Sequence, residues 1–188
     1  MEGFGLELAR LLAFVAFVAL LLALLVFLRK AGQILSETRE RELFRRSVTD
    51  LVERVETSLD GVCSRIDAVR RRTLAAEAIQ ENLSAASDAV ERYGEEARAL
   101  RVSGPATEIR AAIVADLERA GRALQMVEHG CAIMATLTRA HGRELEAQTS
   151  IKRGYLNILH AREAMVRHGA RAAELSAAQS PRLFQRRA

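Results

Sequence analysis

Metal or acid–base chemistry in this sequence would depend on its four histidines: His129, His141, His160 and His168. His141 and Glu144 form one His-x-x-Glu pattern, and His160 and Glu163 form a second. Residues three apart share one face of a helix, so each pair could contact a single metal ion. Carboxylate di-iron bundles use the opposite order, Glu-x-x-His, with further glutamates on the facing helices. The sequence lacks that set, and the patterns favour ordinary pairs on a helix surface.

The tetrapeptide from Ala140 to Arg143 resembles, over these few residues, the phosphoacceptor helix of histidine phosphotransfer domains, which are four-helix bundles. The resemblance implies His141 as the residue that would carry the phosphoryl group. The longer pattern with Lys and Gly that follows the histidine in that family is absent here. His-dependent phosphotransfer or metal binding in a helical bundle is therefore one open function.

Nucleophilic and cofactor chemistry have little support. The two cysteines, Cys63 and Cys131, lie at apolar positions of helical repeats. Two cysteines are too few for a disulfide framework, so we expect reduced, buried thiols in a cytosolic domain. The glycines are isolated and form no phosphate-binding loop. The sequence thus predicts a protein that is not an enzyme, without catalytic, cofactor-binding or metal-binding residues.

An unbroken apolar run, LLAFVAFVALLLALLVFL, extends from Leu11 to Leu28 and is followed by Arg29 and Lys30. The run, 18 residues by its numbering, is at the lower end of the length that spans a bilayer as one helix. A signal peptide is usually shorter and ends in small residues at a cleavage site, and a soluble core helix has a polar face. The run is long, does not end in small residues and has no polar face. It therefore predicts a transmembrane helix over residues 11–28 in contact with the lipid bilayer.

Basic residues around the run predict its orientation. Arg10 alone precedes it, and those that follow are Arg29, Lys30, Arg39, Arg41, Arg45 and Arg46. Lys and Arg near a membrane helix stay on the cytoplasmic side. We expect a single-pass protein of the inner cell membrane, with an extracytoplasmic N-terminus (1–10), a basic juxtamembrane segment (29–36) and a cytoplasmic C-terminal domain.

The charge pattern argues against nucleic-acid binding. Among 188 residues, 28 Lys and Arg face 24 Asp and Glu, for a net charge of +4. The two signs alternate, as in EIRAAIVADLERAGRAL from Glu108 to Leu124. That alternation is typical of a solvated helix face with ion pairs. Nucleic-acid binding needs basic residues clustered on one face, so no nucleic-acid partner is predicted.

Apolar residues recur every three or four positions beyond residue 37, which predicts an all-α domain. In the first arm the positions are Val48, Leu51, Val55, Leu59, Val62, Ile66, Val69, Ala76, Ile79, Leu83, Ala86, Val90, Tyr93, Ala97 and Leu100. In the second arm they are Ile109, Ile113, Leu117, Ala120, Leu124, Val127, Cys131, Met134, Leu145, Ile151, Tyr155, Ile158, Leu159, Met165 and Val166.

The prolines suggest where the helices end. Ser103-Gly104-Pro105 predicts a turn near 103–105, and Pro181 should end the last helix. The arms on either side have similar lengths, which favours a long antiparallel coiled-coil hairpin within a domain of residues 37–179. The tail, 180–188, is basic. Its Arg182, Arg186 and Arg187 are candidates for contact with anionic lipids.

A competing fold bends each arm, near Arg72 and near Gly142, to give a four-helix bundle. Thr73 could cap a new helix and Gly142 could end one. Neither site has a proline or a polar loop, so the straight hairpin is favoured. A hairpin would leave wide apolar faces uncovered, which predicts a homodimer. The bent fold would cover the same faces within one chain.

If a partner docks on the domain, the expected region is Gln148–Asn157, the most polar interior part of the second arm, with the facing first-arm region near Glu53–Leu59. Simple solvent exposure of the polar segment is the favoured alternative. The leading function is a membrane-anchored cytoplasmic coiled-coil protein that acts as a non-enzymatic scaffold or spacer. A transmembrane signalling or sensory component is the first alternative, and the His-dependent bundle is the second.

Overall fold

The computed structural model describes the backbone of residues 3–102, 104–136 and 143–177. These residues form four α-helices, α1 (Gly3–Arg70), α2 (Gln80–Ala99), α3 (Ala106–Thr136) and α4 (Glu144–Ala177), and a short 3-10 helix, Ala76–Ile79. No strand lies in these three ranges, so the prediction of an all-α protein is confirmed. The chain divides into two units, Met1–Glu40 and Arg41–Ala188.

The second unit is a four-helix bundle. Contacts between neighbouring helices show antiparallel pairs, because one residue number rises as its partner's falls. Between α1 and α2, Arg54 contacts Glu96 and Ser58 contacts Tyr93. Between α2 and α3, Arg98 contacts Glu118 and Val90 lies beside Gly121. The contacts of α3 with α4 are Asp116–His168 and Met126–Ser150, and those of α4 with α1 are Arg162–Asp60 and Gly169–Val52. The topology is therefore up-down-up-down.

The straight hairpin is wrong, and the four-helix bundle predicted as its alternative is the observed fold. The physical reason is the width of the apolar faces, which four helices of one chain cover and two long helices would not. The turn near 103–105 is confirmed as the α2–α3 connection, with Gly104 in the left-handed region at φ 59°. Ser103 itself lies outside the described residues.

The first bend follows the end of α1. Arg72 has a φ of 61°. Its N–H bonds to the Val69 carbonyl and that of Thr73 to the Ala68 carbonyl, each at 2.9 Å. This pair of bonds is a Schellman motif with arginine in the left-handed position that glycine usually takes. The Thr73 hydroxyl donates to the same Ala68 carbonyl at 3.0 Å and helps to close the turn.

The second bend connects α3 to α4, which run antiparallel. The Ser150 hydroxyl donates to the Met126 carbonyl at 2.8 Å, well inside both helices. The direction of α4, which begins at Glu144, is therefore opposite to that of α3, which ends at Thr136. Gly142 and the rest of 137–142 lie outside the described residues, as do Pro181 and the tail arginines.

The predicted apolar stripes form the core of the bundle. Of the positions predicted in the two arms, all but two are buried or half-buried. The exceptions are Leu145, 76% exposed, and Val166, 48% exposed. Because one chain covers its own stripes, those stripes do not require a second copy, and the homodimer stays a prediction.

No helix in the described part of the chain contains a segment long and apolar enough to cross a bilayer. In the predicted membrane helix, 11–28, the structure describes the backbone throughout, but only the side chains of Phe17 and of residues 20–28.

Both cysteines are free and buried, as the sequence predicts. Burial raises the pKa of the Cys131 thiol to about 11 from an ordinary 9.0, and the nearby carboxylates of Glu77 and Glu128 add to the effect. Burial also raises the pKa of Cys63, although the Arg162 guanidinium opposes it. The reactive thiolate of Cys131 is thus about a hundredfold scarcer near neutral pH than for an ordinary thiol.

We expect iodoacetamide at about pH 8 to alkylate Cys131 at least about a hundredfold more slowly in the folded protein than in urea. Mass spectrometry of quenched time points measures both thiols at once. The rate for Cys131 should rise with pH up to about 11, because deprotonation limits it. Equal rates in the folded and unfolded protein would contradict this account of the thiol.

Candidate functional site

Of the two His-x-x-Glu patterns, the structure describes the side chains of only one, His160 with Glu163. His129 and His160 are exposed, and Glu163 lies 3.8 Å from Arg167 in an exposed pair. His141 lies outside the described residues, so its resemblance to a phosphoacceptor histidine stays a prediction. Among the side chains that the structure does describe, no group of three or more His, Cys, Asp or Glu could hold a metal ion.

His168 forms a buried polar cluster that the sequence analysis missed. Its Nε2 lies 2.9 Å from Oδ2 of Asp116, and both residues are more than 90% buried. Arg119 donates to the other Asp116 oxygen at 2.5 Å. Nδ1 of His168 is buried without a hydrogen-bond partner. The sequence contained one indication of this cluster, because Asp116 lies three residues after Ile113, on the apolar stripe of α3.

A larger candidate lies where α1 ends beside α3 and α4. A cavity of about 550 Å³ opens there, and we call it the arginine groove. The polar side chains that line it are Asp67, Arg70, Arg71, Arg72, Gln148 and Lys152, and the apolar ones are Val69, Met134 and Ile151. Val69 and Ile151 are buried and Met134 is half-buried, so they form the floor.

Positive charge dominates the arginine groove. Asp67 pairs with both Arg70, at 3.1 Å, and Arg71, at 2.6 Å. Arg72 pairs with Glu144 at 2.5 Å, across the bend from α1 to α4. Lys152 makes no ion pair with any residue that the structure describes. Four cations and two carboxylates leave an excess of two positive charges.

Arg70 has a second partner that orients it. Its guanidinium lies 4.5 Å from the centroid of the Tyr155 ring. A guanidinium at that distance is attracted by the negative face of the ring. Together with Asp67, the ring holds Arg70 in place at the edge of the groove.

Docking of a partner on Gln148–Asn157 stays a prediction, and the facing segment predicted for it is wrong. Gln148, Ile151 and Lys152 line the groove, and Gly154 is buried against α3. The segment Glu53–Leu59 does not face them. Residues of Glu53–Leu59 contact α2 and Arg162 of α4. The bend after α1 places Gln148–Asn157 beside the end of α1 instead.

A second kind of surface lies in the first unit. The large apolar side chains there are exposed by 47% to 70%: Phe17, Leu20, Leu21, Leu22, Leu24, Leu25, Val26, Phe27 and Leu28. At 100° per residue, nine consecutive positions from Leu20 to Leu28 extend around the whole helix. Exposed apolar patches of this extent indicate contact with a membrane or a protein.

A cationic groove can hold an anion, and an exposed apolar helix surface can contact lipid or a protein. No family model, curated protein or solved structure matches the chain.

Proposed function

We propose that the protein is a non-enzymatic scaffold, anchored in the inner membrane by residues 11–28, with its four-helix bundle in the cytoplasm. The observation that carries the proposal is the exposure of the apolar side chains from Leu20 to Leu28 on every side of their helix. A protein partner that packs on one face would leave the other faces in water. A lipid environment covers all of them.

The energetics favour the bilayer strongly. Burying one Leu, Val or Phe side chain is worth about 1.5–3 kcal/mol. The eight Leu, Val and Phe side chains from Leu20 to Leu28, together with Phe17, are therefore worth on the order of 10 kcal/mol or more when they leave water. Lys and Arg do not oppose insertion, because the run from Leu11 to Leu28 contains none.

The flanking charges support the proposed orientation. Arg29, Lys30 and Arg39 follow the run and have exposed side chains. Cytoplasmic flanks are rich in such residues, and acidic residues count little in this rule. An extracytoplasmic N-terminus and a cytoplasmic bundle satisfy it.

Charging the middle of the run should release the protein from membranes. We expect the full-length double variant Leu20→Arg with Leu24→Arg to lose membrane association, because each arginine at a helix centre costs about 2.5–3.5 kcal/mol. Flotation of cell extracts on a density gradient, after a carbonate wash, measures the fraction bound. The wild-type chain should float almost completely.

Two exposed apolar residues of the bundle provide the matched control. Leu145→Arg with Val166→Arg makes the same chemical change at exposed positions outside the run. This variant should float like the wild type. Equal flotation of all three proteins would contradict the anchor, and a reporter that is active only outside the cytoplasm, fused after Ala188, should be silent if the orientation is right.

A further inference from the structure

We propose that the arginine groove is a binding site for a small phosphorylated molecule that carries a compact apolar part. The inference does not rest on the membrane anchor, since every residue of the groove belongs to the bundle. Its excess of two positive charges matches the dianion of a phosphomonoester. The shape, the free donors and the backbone at Arg72 each support it.

The groove has donors to spare. Arg71 and Arg72 each pair with a carboxylate through one terminal nitrogen, Nη2. A guanidinium has five N–H donors in a planar fork, and that fork fits phosphate oxygens in pairs. Arg71 is 74% exposed and Arg72 68% exposed at the side chain, so their remaining donors are open to a ligand.

Lys152 decides between a structural and a binding role for these cations. Arginines in the last turn of a helix interact favourably with its carbonyl end, which would account for Arg70 without any ligand. Lys152 lies inside α4, more than two turns from Glu144, where α4 begins. It has no carboxylate partner among the described residues. Its exposed ammonium is therefore available to an anion in the groove.

The backbone conformation of Arg72 also supports a binding site. A left-handed conformation costs a non-glycine residue about 1–2 kcal/mol. Glycine would close the same Schellman motif without that cost. The arginine side chain is placed over the groove at the expense of strain, and strain of this kind concentrates at binding sites.

The floor and the volume determine the class of ligand. A cavity of about 550 Å³ is within the ordinary range for small-molecule sites. Val69, Met134 and Ile151 offer apolar contact beneath the cations. An organic phosphate uses both features, whereas inorganic phosphate uses only the charge.

Calorimetric titration of the detergent-solubilised full chain with phenyl phosphate tests the site. We expect saturable binding that is several-fold tighter than that of inorganic phosphate, because only the first probe contacts the floor. Lys152→Gln and Arg71→Gln should each weaken binding by about fivefold, as expected for loss of one exposed charge contact. Both side chains are exposed, so neither change threatens the fold.

Arg153→Gln is the matched control, since Arg153 is exposed, adjacent to Lys152, and does not line the groove. Its affinity for phenyl phosphate should stay within about twofold of the wild type. The proposal is overturned if Arg153→Gln weakens binding as much as Lys152→Gln, or if phenyl phosphate does not saturate. Tighter binding of a hexaglutamate peptide than of phenyl phosphate would also overturn it, in favour of an acidic protein partner.

Discussion

Replacing Gly154 with alanine is expected to destabilise the bundle by about 2 kcal/mol. A Cβ at this position would lie 2.5 Å from Cγ2 of Val127 and 2.7 Å from the Ala123 carbonyl oxygen. Backbone atoms cannot rotate away, so α3 and α4 would have to separate. Overpacking of this kind costs about 1–3 kcal/mol, more than the gain of up to about 1 kcal/mol from alanine's helix propensity.

Gly61→Ala is the control, because it makes the same change where an added Cβ meets nothing within 4 Å. It should stabilise α1 by about 0.5–1 kcal/mol. Thermal unfolding followed by circular dichroism should therefore shift in opposite directions for the two variants. A stabilising effect of Gly154→Ala would show that α3 and α4 do not approach as closely as described.

Gly130 takes the reciprocal place on α3. Its added Cβ would lie 2.6 Å from Cγ1 of Ile151 and 2.9 Å from the Ala147 carbonyl oxygen. Each helix thus presents a glycine to a turn of the other. The sequence shows both glycines, and it also shows Gly121 and Gly169, where an added Cβ would meet only side chains at 3.7 Å or beyond. The spacing of glycines in the sequence does not distinguish those at a close helix contact from those with room for a Cβ. The distinction depends on where the two helices cross.

The periodicity of the sequence predicted the helices and nearly all of the core. The bend near Arg72 was placed correctly but ranked second to a straight helix, for a local reason. The end of α1 uses Arg72 in a conformation that normally signals glycine, and the closing hydrogen bonds involve Val69 and Ala68 carbonyls, which every residue type provides. Such a turn leaves no mark in composition. The width of the apolar stripe was the better guide, because it required four helices however the chain connected them.

The candidate sites depended on contacts between residues distant in sequence. Lys152 and Gln148 belong to the polar segment of the second arm, but the sequence does not show that they lie beside the end of α1, because that depends on the bend. Asp116 and His168 are 52 positions apart, and neither residue alone indicates the other. A polar residue on an apolar stripe indicates that a partner exists without indicating which one.

Removing the Asp116 carboxylate is expected to have the largest effect on stability of any single change discussed. Asp116→Ala should destabilise the bundle by about 3 kcal/mol, because His168 would then have both ring nitrogens buried without partners. His168→Leu should cost less. It removes the unpaired Nδ1 and leaves Asp116 bonded to Arg119, whose side chain is 53% exposed.

Replacing both partners separates the two contributions. Asp116→Leu with His168→Leu should be more stable than Asp116→Ala, since well-packed apolar residues can substitute for a buried polar pair at little cost. A fifth protein, Asp116→Leu, closes a cycle with the wild type, His168→Leu and the double variant, and urea unfolding of those four at one pH gives the coupling free energy. Equal stabilities for Asp116→Ala and the double variant would mean that Asp116 stabilises α3 through Arg119 alone. A double variant that is more stable than Asp116→Ala but less stable than the wild type would mean that the pair itself holds α3 against α4.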